Sequence, residues 1–285
     1  MATSPSTWLI TGASSGIGKS LALAALEAGH TVVGTTRDVG KARRGFHAFS
    51  DKGGIWVQLD PGAEDAFDAF AKCAQENDVD VLVNNAGYAF IGGVEDTSEA
   101  DIRAQMEVNF YGPLRAVRAC LPVMRSKRSG QVILISSGAG FIARPSRGTY
   151  SASKFAIEAM HEALSHEVKT LGVKVLIVEP GAFRTPFAGR CLIPSYLENG
   201  FSDAYKGTAV DQMVSMSRAW TDKSEFLKGD PDKAGRAIVQ AASTDYKYLR
   251  LPLGPDCVAA LELKIGDLQG DLEATRVIAT STDAD

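Results

Sequence analysis

Tyr150 and Lys154 stand four residues apart in the stretch TYSASK, and the run that follows, SKFAIEAMHEALSHEV, has helical spacing. Positions i and i+4 share one helix face, so a phenol and an ammonium are aimed at the same spot. A tyrosine with its ordinary pKa near 10 works poorly as both acid and base near neutrality. A neighbouring positive charge favours the phenolate and makes the phenol a usable proton donor and acceptor. Taken alone, such a pair reads more simply as a buried tyrosine beside a solvated lysine. The rest of the chain has to decide.

A second chemical feature sits near the N-terminus, where TGASSGIGKSLALAAL follows the apolar run TWLIT. Gly12, Gly16 and Gly18 are spaced G-x-x-x-G-x-G, with Ser14, Ser15 and Ile17 completing the turn. A turn without Cβ atoms lets backbone approach a pyrophosphate, and a helix N-terminus offers free N–H groups and a positive dipole end. A tight strand-to-helix turn with no ligand is the simpler alternative. Its place after the first strand favours the dinucleotide reading. In such folds the end of the second strand contacts the adenosine ribose. Here that strand ends GTTRD: Thr36 stands where an acid would select NAD, and Arg37 follows. An arginine fork pairs with a 2′-phosphate, so NADP(H) is favoured over NAD(H). Asp38 would reverse this if it faced the ribose; its other role is to cap a helix starting at Val39.

These groups need elements to hold them. Residues 7–11, 31–36, 55–59, 80–84, 131–136 and 173–179 are short, β-branched and almost continuously apolar, as strands covered on both faces are. Helical patterns fill 16–28, 39–49, 62–76, 99–125, 149–170 and 231–243, and YKYLRLPLGPDCVAALELKI reads as a seventh strand followed by a helix. This alternation implies an α/β fold with a Rossmann-type, doubly wound parallel sheet and right-handed crossovers. With no linker and no repeat, residues 1–285 form one domain. The segment 186–229 is too long for a plain connection. Its Phe187, Tyr196, Phe201, Tyr205, Met213, Met216, Trp220 and Phe226 predict short helices folded over a ligand. Residues 254–285 form a C-terminal extension with a polar end.

Composition removes other classes. A formal net charge of −4 gives no basic field for nucleic acid or acidic membranes. Cys73, Cys120, Cys191 and Cys257 are scattered, which argues against a zinc site or a disulfide framework. MATSPSTWLITG has neither a basic leader region nor a long apolar run, so neither a signal peptide nor a membrane span is expected, and the expected location is cytoplasmic.

Taken in order, these motifs resemble the short-chain dehydrogenase/reductase family over nearly the whole chain. TGASSGIG resembles the family's cofactor loop, and Asp60 in LD its adenine contact. NNAG, with Asn85, Ala86 and Gly87, resembles the motif beside the cofactor in the central sheet. NFYG places Asn109 at the family's active-site asparagine. ISSGAG places Ser137 thirteen residues before Tyr150, a spacing that favours it over Ser136. PGAFRT, from Pro180 and Gly181 to Thr185, resembles the loop that meets the nicotinamide carboxamide.

The resemblance implies seven strands in the order 3-2-1-4-5-6-7 and a homodimer or homotetramer paired through helices 99–125 and 149–170. It implies that Tyr150 is the acid–base group and that Lys154 tunes it and holds the nicotinamide ribose. Ser137 then donates to the substrate oxygen, and Asn109 holds a water linking Lys154 to solvent. The expected reaction is NADPH-dependent reduction of a ketone or aldehyde, reversible as alcohol oxidation. Phe141, Ile142, Phe187 and the cover's aromatics suggest an apolar, cyclic or aromatic substrate, unless those aromatics merely pack the cover. Arg144, Arg147, Arg184 and Arg190 would instead suit a carrier-bound substrate. His161 and His166 read as surface or interface groups. The alternatives are a non-redox enzyme on the same fold or a cofactor-binding sensor, which usually loses the tyrosine or lysine that this chain keeps.

Overall fold

Near-continuous apolar runs become strands buried on both faces. In the computed structural model, which describes residues 5–222 and 227–284, the strands are β1 (Thr7–Ile10), β2 (Thr31–Thr36), β3 (Ile55–Gln58), β4 (Val81–Asn84), β5 (Gly130–Ile135), β6 (Val173–Pro180) and β7 (Arg250–Leu253). All pair in parallel, in the order β3-β2-β1-β4-β5-β6-β7. Strand alternation splits β1 between two cores. Trp8 and Ile10 join Leu21, Val32, Phe49 and Ile238 on one face, while Leu9 joins Phe70, Leu82, Cys120 and Met124 on the other. Each fully buried large side chain contributes roughly 1.5–3 kcal/mol, so both layers are needed.

The first face carries α1 (Gly16–Glu27), α2 (Val39–Gly45) and α3 (His47–Asp51). The sequence predicts one helix over 39–49, but the backbone breaks at Phe46, whose ring is buried against Phe49 and Trp56. The other face carries α4 (Ala66–Glu76), α5 (Glu99–Met106), α6 (Gly112–Lys127) and α7 (Gly148–Glu167). The α4 helix begins later than the predicted residue 62. Asp60 first forms a tight turn, its Oδ1 accepting from Gly62 N at 3.1 Å. A π-helical turn, Glu107–Tyr111, joins α5 to α6 and carries Asn109; such insertions cluster at functional sites. The chain closes with α8 (Ala209–Asp222), α9 (Pro231–Ala242) and α10 (Pro255–Thr280).

The segment 186–229 folds as two 3-10 turns, Ala188–Arg190 and Asp203–Tyr205, followed by α8. Phe226 and the side chain of Trp220 lie outside the described residues. Among the described residues no helix is long and apolar enough to cross a membrane.

Candidate active site

A cavity of about 950 Å³ opens over the C-terminal ends of β1, β2, β4, β5 and β6. That is the edge where a doubly wound sheet binds its ligand. The glycine loop floors one end. Gly12 (φ +65°) and Gly16 (φ +58°) occupy left-handed conformations that side chains resist. A Cβ on Gly18 would lie 2.3 Å from Asn85 Nδ2, so Gly18 permits packing beneath the loop and does not itself line the cavity. Ser15 is the N-cap of α1, yet its side chain caps none of the helix's first N–H groups. Those donors face the cavity beside Ser14, Ser15, Gly16 and Ile17, which is the donor set a pyrophosphate needs.

Thr11 holds this floor to the neighbouring strand. Its Oγ1 accepts from Asn85 N and Ala86 N, both at 2.9 Å, and donates to Val83 O at 3.3 Å. Asn85 Nδ2 donates to Thr11 O at 2.8 Å. Asn85, Ala86 and Gly87 thereby form a fixed wall of the cavity. Sequence reasoning missed Thr11, although a threonine ending a strand just before the glycine turn was a usable signal.

Thr36, Arg37 and Asp60 line the far end. Asp38 does not. Its Oδ1 accepts from Lys41 N at 2.8 Å as the N-cap of α2, which leaves Arg37 as the charged side chain from this turn at the cavity. Arg190, on a 3-10 turn of the segment after β6, reaches across to Ser15, Nη1 to Oγ at 2.9 Å. Pro180, Gly181 and Thr185 form the adjoining rim, and Ala182 N donates to Asp256 Oδ2 at 2.8 Å.

Ser137, Tyr150 and Lys154 meet at the centre. Because β5 ends at Ile135, Ser136 and Ser137 diverge. Ser136 Oγ donates to the buried Glu158, whereas Ser137 is hydrogen-bonded to Tyr150 in the cavity wall. Tyr150 and Lys154 are 3% and 6% exposed, one turn apart on α7. Lys154 Nζ donates to Ile135 O at 3.0 Å. Burial pushes the Tyr150 phenol up to about 12, against the hydrogen bond from Ser137 and the charge of Arg147, which pull it down. Burial pushes Lys154 down to about 8, against the opposing charge of Glu158. In this chain, then, desolvation outweighs the tuning expected from an i, i+4 ammonium.

Asn109 lies behind this wall and does not line the cavity. Its Nδ2 donates to Tyr88 O and Ser153 Oγ, both at 3.0 Å, and its Oδ1 accepts from Tyr88 N at 3.2 Å. Gly87 separates it from Lys154. A Cβ on Gly87 would lie 3.0 Å from Asn109 Oδ1 and 3.8 Å from Lys154 Nζ. The absence of that side chain leaves a small space touching both.

The other end of the cavity is lined by Ile142, Phe187, Met213, Met216 and Leu227 among others. Phe187 packs against Tyr150 with ring centroids 6.0 Å apart. Phe141 is a correction. The 3-10 turn Gly138–Gly140 carries it out of the cavity wall, and Ile142 takes the inward position. The other aromatics of residues 186–229 divide. Phe201 and Tyr205 pack with Ile91, Ile193 and Val214 in a small separate core, and Tyr196 Oη donates to Asp96 O. Arg144, Arg147 and Arg190 line the cavity, whereas Arg184 lies 3.9 Å from Asp230 in an ion pair.

His161 is a second correction. It is 1% exposed, its Nδ1 lies 2.8 Å from Ile157 O, and burial pushes it down to about 4. Position 161 falls two turns from Lys154, so it shares the buried stripe of α7; His166 is exposed. Sequence reasoning also missed a buried ionic cluster next to the site. Arg250 on β7 reaches Glu158, Glu179 and Glu162. Among the described residues no group of His, Cys, Asp or Glu could hold a metal ion.

Comparison with known proteins agrees with this geometry. The short chain dehydrogenase family profile matches residues 6–191. Oxidoreductase claN of Passalora fulva is 43% identical over 209 residues, 73% of this chain and 94% of that protein. Retinol dehydrogenase 8 of Bos taurus is 36% identical over 282 residues, 95% of this chain and 89% of that protein. The crystal structure of a short-chain dehydrogenase from Streptomyces avermitilis superposes with a TM-score of 0.83 at 37% identity, covering 99% of this chain and all of that one. The chain belongs to the short-chain dehydrogenase/reductase family of NAD(P)-dependent oxidoreductases.

Proposed function

We propose that the protein is an NADPH-dependent carbonyl reductase acting on an apolar ketone or aldehyde, reversible as oxidation of the alcohol. One observation carries the reading: a phosphate-binding loop and the Ser137–Tyr150–Lys154 group share one cavity. Gly12, Ser14, Ser15, Gly16 and Ile17 would hold the pyrophosphate, Asp60 the adenine, and Pro180, Gly181 and Thr185 the nicotinamide end. The bound nicotinamide supplies or takes up the hydride. Tyr150 supplies the proton to the substrate oxygen, and Ser137 donates a hydrogen bond to the same oxygen, which stabilises charge developing there. Lys154 keeps two of its three donors after its bond to Ile135 O, enough for ribose hydroxyls. Asn109 Oδ1, across the gap left by Gly87, would hold a water that returns protons through Lys154.

The preference for NADPH rests on Arg37, which lines the cavity while Asp38 is engaged as a helix cap. The apolar substrate rests on Ile142, Phe187, Met213, Met216 and Leu227. The bovine relative is named for retinol, an apolar alcohol, which fits this lining. The segment 186–229 acts as the substrate cover. Half-exposed apolar side chains on the paired-helix face, Ile102, Tyr111, Phe155 and Met160, support assembly as a homodimer or homotetramer through α5, α6 and α7.

The test is oxidation of NADPH, and then NADH, against apolar ketones, quinones and aldehydes, in wild type and Tyr150→Phe. General acid catalysis is worth about 10²–10⁴-fold, so the variant should lose turnover by that factor while NADPH fluorescence still reports binding. Turnover equal in both proteins, or binding without any carbonyl reduction, would sink the reading.

A further inference from the structure

The C-terminal helix α10 runs 26 residues, about 39 Å at 1.5 Å per residue. Only Cys257 and Ala260 are buried, and from Glu262 to Ala284 every residue except Lys264 is exposed. This projecting stretch includes Gly266 and Gly270, each costing a helix about 1 kcal/mol. It also exposes Ile265, Leu268 and Leu272, each at 54%. A lone helix with those properties is marginal in water, and apolar side chains displayed in a row mark an interaction surface.

Five of the apolar side chains of α10 share a period, with Leu263, Val277 and Ile278 exposed off it. Val258, Leu261, Ile265, Leu268 and Leu272 follow one another at spacings of three, four, three and four, and Thr275 and Ala279 continue the pattern. That is a heptad seam, with Val258, Ile265 and Leu272 at one core position and Leu261 and Leu268 at the other. Valine and isoleucine at two of the three first positions, with leucine at the second, favour a parallel two-stranded coiled coil. The charges agree. In a parallel pair each residue flanking the first position meets the residue five places further on in its neighbour. Asp271 thereby meets Arg276 of the partner subunit, and Lys264 meets the partner's Gln269. No like charges oppose one another in this register. The body of the protein leaves most of the seam open: Val258, Ile265, Leu268 and Leu272 are exposed, and only Leu261, near the buried Cys257, is half-buried. A membrane surface is a poorer occupant. Five acids (Asp256, Glu262, Asp267, Asp271, Glu273) oppose two bases (Lys264, Arg276) on α10, and anionic lipid attracts the opposite sign.

We infer that α10 is a self-association element, which pairs in parallel and in register with α10 of a second copy of this chain. This surface is separate from the face of α5, α6 and α7. It also has a link to the site: Asp256, Cys257 and Ala260 at the base of α10 line the cavity, so pairing braces that wall.

The experiment is sedimentation equilibrium on the full chain, with NADPH fluorescence titration of each variant to show that it is folded. Leu268→Glu places a charge in the seam, and Leu263→Glu places the same charge on the opposite side of the helix, where Leu263 is 72% exposed. The expected result is a mass halved by Leu268→Glu and unchanged by Leu263→Glu. Thr275→Cys should also form an interchain disulfide on mild oxidation, because in-register parallel helices bring the two copies of position 275 together. An unchanged mass for Leu268→Glu, or equal losses for both glutamate variants, overturns the inference. A mass loss without the Thr275→Cys cross-link overturns the parallel register. Flotation of a monomeric wild type with phosphatidylcholine vesicles overturns self-association in favour of a lipid surface.

Discussion

Replacing Arg250 with methionine should destabilise the protein by about 3 kcal/mol near pH 8, and by about half that near pH 5. Arg250 Nη1 contacts Glu158, and lies 2.6 Å from Glu179 Oε1, while Nη2 lies 2.9 Å from Glu162 Oε2. The side chains of Glu158 and Glu179 are 2% and 0% exposed, and Glu179 Oε2 has no hydrogen-bond partner. One guanidinium therefore serves two buried carboxyls, and its single charge balances only one of them. Removing one partner of a buried ion pair costs about 3–5 kcal/mol. Arg250 is itself a third exposed, so solvent screens part of the interaction and the lower end applies.

The pH dependence has a fixed sign. Burial raises the Glu179 carboxyl above its ordinary range, Glu158 raises it further, and Arg250 pulls it back. Methionine removes that pull, so the folded-state pKa rises again. A carboxyl whose folded pKa exceeds its unfolded value costs nothing where both states are protonated. The cost appears as pH rises through the ordinary carboxylate range, growing by about 1.4 kcal/mol per pH unit for one proton. Wild type carries the same slope up to its own value of about 7, so the deficit of Arg250→Met should shrink by about 1.4 kcal/mol as pH falls from 8 to 7 and stay level below that. Urea unfolding at pH 5, 6.5 and 8 measures it. Glu179→Gln in the Arg250→Met background should recover much of the loss at pH 8. A deficit below about 1 kcal/mol at pH 8 would refute the reasoning, since exposed pairs reach that value. So would a deficit independent of pH.

Three further outcomes are expected. Arg37→Glu should weaken NADPH binding by about 10–100-fold, the worth of a charged hydrogen bond, and leave NADH binding nearly unchanged in parallel fluorescence titrations. Gly87→Ala should keep NADPH affinity but lower turnover about tenfold, because the methyl fills the space shared by Asn109 Oδ1 and Lys154 Nζ; unchanged turnover would remove Asn109 from proton resupply. For the reductive direction, kcat/KM should fall as pH rises through about 8, where Lys154 loses its charge in the free chain, and a profile flat to pH 10 would show that this charge is not needed.

The fold was readable because the first six strands announced themselves as short, largely apolar runs, and because the strand order followed from the family likeness. Interruptions were less visible. Phe46 breaks the 39–49 helix for the sake of an aromatic cluster with Phe49 and Trp56, contacts that span residues no local pattern connects. The π-helical turn at Glu107–Tyr111 lies inside an unbroken helical pattern, since one extra residue per turn leaves little trace in periodicity. In the site, spacing separated Ser137 from Ser136, and the structure places Ser137 with Tyr150 in the cavity wall. Ser136 then gained a function no motif suggested, as donor to Glu158. Phe141 and His161 were misread for one reason: facing is set by tertiary turn geometry and by the full buried stripe of α7, which residue type alone does not reveal. The Arg250 cluster joins β7, β6 and α7 across more than 90 positions of sequence, so only the folded chain assembles it.

Glu158 ties that cluster to the chemistry. It lies one turn beyond Lys154, accepts from Ser136, and is held by Arg250. Its negative charge raises Lys154, which keeps the ammonium, and raises Tyr150, which keeps the phenol protonated. Both effects prepare the same state: a charged lysine beside a tyrosine that still carries its proton. That state can give a proton to a carbonyl oxygen at neutral pH. It cannot take one from an alcohol until further positive charge lowers the phenol. Burial contributes most to holding the phenol protonated, and Glu158 adds to it from outside the cavity. Glu158→Gln should shift the balance: with the negative charge gone, the phenol becomes easier to ionise, and the pH threshold for alcohol oxidation moves down while Tyr150 and Ser137 stay in place. A threshold that does not move, in a variant whose unfolding midpoint matches wild type, would confine Glu158 to holding β7 against α7.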